Sequence, residues 1–163
     1  MIKKIAIHCD LSNSSGLGHL SRMKNLSIEL EKKGFSINTE SLPKNTKPVL
    51  NKKQGYLLAS NGMPKMLDGR GEFLKNATKL AIESLSGNEE GFFLMIEGAQ
   101  IDWGGHDNDA DYLISELIDF DNTIGVVLDF AKLNGETLVI VTADHETGGF
   151  TLAQDNGDYN KIK

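Results

Sequence analysis

GFFLMIEGAQIDWGGHDND (residues 91–109) and GETLVIVTADHETGGF (residues 135–150) decide the reading of this chain, because in each an apolar run ends in a cluster of polar residues. Phe92-Phe93-Leu94-Met95-Ile96 is short, continuous and apolar, which suits a strand covered on both faces of a parallel sheet. Thr137-Leu138-Val139-Ile140-Val141-Thr142 is β-branched and has the same buried character. Between the two runs, Leu113, Leu117, Ile124 and Leu128 mark an amphipathic helix from about Asp109 to Leu133. Asp107, Asp109 and Asp111 enrich its start as solvated carboxylates that suit the helix dipole, and Gly135 follows its end. Strand, helix, strand is a parallel layout with a right-handed crossover. The expectation is an α/β protein with a mainly parallel sheet flanked by helices.

The polar clusters fall where open α/β sheets bind ligands, beyond the carboxyl ends of the strands. Glu97 ends the first run, and a carboxylate there belongs at the open end of the sheet or on a cation. Asp102 and His106 follow, separated by Trp103-Gly104-Gly105; the two glycines argue against a regular helix and for a tight loop. Asp144 and His145 come directly after the second run, in a glycine-rich turn that can aim both at neighbouring cations. Taken singly, each fragment also reads as a solvated loop or a helix cap. Together, five carboxylate and imidazole donors are the natural zinc ligands where no thiolate is on offer.

IEGAQIDWGGH followed by LVIVTADHETGGF closely resembles the alkaline phosphatases over about residues 56–163. The resemblance implies an incomplete fold of that type and phosphate monoesters as substrates. It also implies two Zn²⁺ and one Mg²⁺, with a homodimer as one option. It assigns Glu97 to magnesium, Asp102 and His106 to the first zinc, and Asp144 and His145 to the second. Trp103 either borders the phosphate pocket, as the resemblance implies, or packs on its loop. Two metals can clamp the attacking and leaving oxygens of an in-line displacement, and zinc lowers the pKa of a bound hydroxyl. Against the family pattern, the hydroxyl nucleophile, the phosphate-gripping Arg, the bridging Asp and a further zinc-binding His have no counterpart motif here. The expectation is therefore a phosphatase half-site whose nucleophile is unassigned, with a catalytically silent metal-binding fragment as the alternative.

Residues 1–40 read differently. Ile5-Ala6-Ile7 is a strand, Leu20, Met23, Ile28 and Leu30 belong to a helix that Gly34 caps, and Phe35-Ser36-Ile37 returns as a strand. Gly16-Leu17-Gly18-His19, with Arg22, resembles the opening loop of nucleotide-sugar hydrolases and glycosyltransferases of the double-Rossmann type, which implies a nucleotide-sugar-binding module as a further alternative. The same loop also reads as a turn that merely permits close packing. Residues 41–54, with two prolines and several lysines, form a linker or junction between this βαβ-like segment of different origin and the metal-binding region 55–163. In that region Gln54 to Ser60 reads as a strand and Glu72 to Leu85 as a helix with Leu74, Ala77, Ala81 and Leu85 on one face.

Composition bounds the rest. A chain of 163 residues, 39% hydrophobic and 25% charged, is ordinary for one globular domain. A net charge of −6 argues against nucleic acid as the main partner. Cys9 is the sole cysteine, so an internal disulfide is excluded, and no run approaches a membrane span. Members of the resembled family are commonly periplasmic or extracellular, whereas the start of this chain is too short in apolar residues for a signal peptide.

Overall fold

The computed structural model describes residues 26–38, 41, 53–59 and 62–150. The expected strand at 5–7, the loop at 14–19 and Cys9 lie outside these residues, as does most of the 41–54 junction. Residues 26–32 are helical, and Gly34, at φ +82°, turns the chain into strand β1, Phe35–Asn38. Only a residue without Cβ takes that left-handed turn at no steric cost, which is why the expected cap holds. β1 pairs in parallel with β2, Lys53–Tyr56, with Phe35 opposite Lys53 and Asn38 opposite Tyr56. β2 is shorter than the stretch expected at 54–60.

Beyond a 3-10 turn at Met66–Asp68 come three helices: α1, Phe73–Leu85; α2, Ala99–His106; and α3, Ala110–Asn134. α1 buries Leu74, Thr78, Ile82 and Leu85, one stripe at helical spacing. α3 starts where the Asp109 carboxylate accepts the Tyr112 N–H at 3.0 Å, and it ends where Gly135 adopts the left-handed conformation and donates to Ala131 O. Both helices match the sequence expectation to within a residue at each end. α3 is the central element, with α1 and α2 packed along it. No helix of the described residues is long and apolar enough to cross a membrane.

Two expectations are corrected. The buried stripe of α3 is Tyr112, Glu116, Asp119 and Thr123, while Leu117 and Leu128 are exposed. The reason is Arg70, which enters from the segment before α1 and ion-pairs with both Glu116 and Asp119; all three side chains are at most 6% exposed. Buried charge is tolerated only when paired in this way. The two apolar runs, expected as paired strands, join no ladder among the described residues. Their burial nonetheless alternates with the period of extended backbone. Phe92, Leu94 and Ile96 are half-buried while Phe93 is 63% exposed, and Thr137 and Val139 are half-buried while Leu138 is 83% exposed. The inner face of the first run rests on α3, where the Phe92 and Phe130 rings lie 6.1 Å apart.

Candidate metal centre

The first polar cluster is carried by a helix, which corrects the loop expected at 102–106. α2 spans Ala99–His106 and places Asp102 and His106 one turn apart, with His106 Nε2 3.5 Å from Asp102 Oδ2. The two glycines between them do not break the helix; they let it approach its neighbours. A Cβ on Gly104 would stand 2.7 Å from Leu113 N, so α2 lies directly against the backbone of α3. Gly105 gives the same access to the 147–148 turn: a Cβ on Gly148, whose φ is +78°, would stand 2.1 Å from Gly105 O. Trp103 is half-buried on this helix, and Glu97 is exposed just before it.

The second cluster lies in the turn after residue 142. Asp144 Oδ1 accepts the His145 N–H at 3.1 Å, and Asp144 Oδ2 lies 3.4 Å from His145 Nε2. The turn is closed further on, where the Gly149 N–H donates to the Glu146 carboxylate. Thr147 joins this turn to α2. Its hydroxyl donates to Asp102 Oδ1 at 2.5 Å, and its oxygen lies 3.2 Å from His145 Nδ1. With the ring proton on Nδ1, His145 donates to the Glu146 carbonyl at 3.1 Å and leaves the Nε2 lone pair available to a cation.

The structure thus brings four of the five expected residues into two linked pairs, Asp102 with His106 and Asp144 with His145, bridged by one hydroxyl. Glu97 precedes the same helix, and among the described residues it makes no hydrogen bond or ion pair with either pair. Among the described residues, no group of three or more His, Cys, Asp or Glu side chains closes around a single point. Sequence reasoning missed Thr147, although it stands in ADHETGGF between the Asp-His pair and the glycines. Its hydroxyl was legible only as a turn residue, since its partner lies 45 residues away.

His145 is pushed above its ordinary pKa. The Glu146 carbonyl contributes most by holding the Nδ1 proton, and the Asp144 carboxylate adds to it, with smaller help from Asp102 and Glu146. A negative turn that attracts a proton attracts a divalent cation in its place. The donor set fits zinc and magnesium: imidazole and carboxylate without thiolate, exposed enough to be reached from solvent.

The alkaline phosphatase family model matches residues 10–162, a span that includes both the 14–19 loop and the 41–54 segment. Alkaline phosphatase 3 of Bacillus subtilis (strain 168) is 42% identical over 142 residues, which are 84% of this chain and 29% of that protein. The solved structure of the alkaline phosphatase from the Antarctic bacterium TAB5 is 50% identical, with a TM-score of 0.74 over 89% of this chain and 43% of that one. A variant of the TAB5 enzyme with magnesium bound in its M3 site is 49% identical, with a TM-score of 0.76 over 91% of this chain and 46% of that one. The chain therefore spans less than half the length of these relatives. With its fold and nearly its whole length matched, the chain belongs to the alkaline phosphatase family.

Proposed function

We propose that this chain carries the metal-binding part of a metal-dependent phosphate monoester hydrolase. Asp102 and His106 are the ligands of one zinc, Asp144 and His145 of a second, and Glu97 of a magnesium. The observation that carries this reading is the Thr147 bridge: Asp102 and His145 meet on one hydroxyl while each keeps its own partner. The magnesium in the TAB5 variant supports the oxygen-ligated third position.

Each residue has a definable task. Asp102 and Asp144 supply the negative charge, and His106 and His145 supply neutral nitrogens once their protons leave. Thr147 and the Glu146 carbonyl hold the His145 ring in one tautomer, as partners of a ligating imidazole do. Bound divalent cations would polarise the phosphoryl oxygens and lower the pKa of an attacking hydroxyl. The nucleophile itself is unassigned. A small phosphate ester held by local cations, rather than nucleic acid, is the partner that suits a net charge of −6, and a homodimer is the assembly included in this reading.

Zinc content of the purified chain and release of a chromophore from a phosphate monoester at mildly alkaline pH test this together. Zinc uptake is the expected result, with turnover absent in this chain alone because no nucleophile motif is present. Turnover would show that the chain also supplies the nucleophile, and no uptake contradicts the reading.

A further inference from the structure

α2 holds two of the proposed ligands, yet little in it is apolar and buried. It has eight residues, too few to be stable alone, and its buried positions are Gln100, Gly104 and Gly105. No large apolar side chain anchors it fully. Its orientation comes from the polar contacts of Gln100, the Thr147–Asp102 hydrogen bond and the close approach of the glycines.

Gln100, 2% exposed, lies two residues before Asp102. Its Oε1 accepts the Tyr112 hydroxyl of α3 at 2.8 Å, and its Nε2 donates to Met63 O at 2.7 Å. Met63 begins a segment that returns to α3 by further polar contacts. Lys65 Nζ lies 3.8 Å from the centroid of the Tyr112 ring, and the Met66 N–H donates to Glu116 Oε1 at 2.8 Å. Arg70 Nη2 closes the path by donating to Glu116 Oε2 and, at 3.0 Å, to Asp119 Oδ2. Apart from Arg70 Nε, which is buried without a hydrogen-bond partner, the buried polar groups of this path are paired, and displacing one leaves its partner unpaired.

We propose that Arg70, Gln100 and Tyr112 are positioning residues: a buried polar chain from Arg70 through Glu116, the 63–66 segment and Gln100 to Tyr112 fixes the orientation of α2, and hence of Asp102 and His106. None of the three touches the metal centre. The inference rests on the metal-binding reading above and extends it to residues outside the ligand set.

The test is zinc affinity of the full chain, measured by competition with a chelator well below the melting temperature. It compares the unmodified chain with Tyr112→Phe, Arg70→Lys and, as a control in α1, Ile82→Val. Tyr112→Phe removes one hydroxyl, and Arg70→Lys keeps the charge but loses the planar guanidinium whose Nη2 donates to both carboxylates while Nη1 reaches Pro64 O. The expected result is a loss of affinity of about 10-fold in both, the lower end of what outer partners of metal ligands contribute. Ile82→Val is expected to lower the melting temperature and leave zinc affinity unchanged. Unchanged affinity in folded Tyr112→Phe overturns the proposal, whatever the fate of Arg70→Lys, and so does an equal loss in Ile82→Val. No zinc uptake by the unmodified chain overturns the metal reading itself, a result distinct from either.

Discussion

His145 shows how a single side chain states its role before any metal arrives. The Glu146 carbonyl and the Asp144 carboxylate raise its pKa above the ordinary 6.5, so an NMR titration of the metal-free chain is expected to give a midpoint above that value. The proton it holds favours the folded turn below the unfolded value, and this contribution is lost as pH rises through the raised one. Zinc requires the neutral ring, so zinc uptake is expected to strengthen across the same rise. Asp144→Asn should lower the midpoint; a midpoint at or below 6.5 in the unmodified chain contradicts this account. At this scale the two pairs, Asp102 with His106 and Asp144 with His145, are those the sequence sets side by side, although the first stands on a helix and not on the tight loop that its glycines suggested. Thr147 and Gln100 were not legible. Their roles depend on partners that only tertiary packing supplies.

The two long helices and the strands near 35–37 and 54–60 were readable, while the two apolar runs were misread, for a physical reason. α1 and α3 carry their own evidence in periodicity and caps, whereas a strand exists only beside a neighbour, and an apolar run says nothing about whether one is present. α2 was misread because glycine was weighed as a helix breaker when it serves close approach. Two alanine substitutions separate these effects. Gly104→Ala forces a Cβ against the Leu113 backbone and is expected to cost about 1–3 kcal/mol, the range for overpacking. Gly125→Ala, within α3 and with open space around it, is expected to stabilise by about 0.5–1 kcal/mol. Urea denaturation of the two variants checks both signs, and a neutral Gly104→Ala would remove the packing account of α2. The polar stripe of α3 also escaped periodicity: leucines predict an apolar face, but Arg70 turns Glu116 and Asp119 inward.

Across the whole molecule, the first apolar run rests on α3 through Phe92 and Phe130, and both runs turn large apolar side chains outward. Phe93, Met95, Leu138, Ile140 and Val141 are exposed, and the backbone of residues 92–96 and 137–142 lies outside any described ladder. Amide hydrogen exchange is expected to be slow around Thr123 in α3, which is fully buried, and faster towards the end of the same helix at Leu133, which is 89% exposed. Equal protection along the helix would contradict that picture. Two extended segments and one short helix nevertheless bring the donor pairs to a common hydroxyl, and on that convergence the phosphatase reading depends. The most direct measurement is zinc stoichiometry of the chain and of Asp144→Ala, with circular dichroism as the check on folding. The account predicts less zinc per chain in Asp144→Ala at an unchanged helical signal; the same zinc content in both proteins would contradict it.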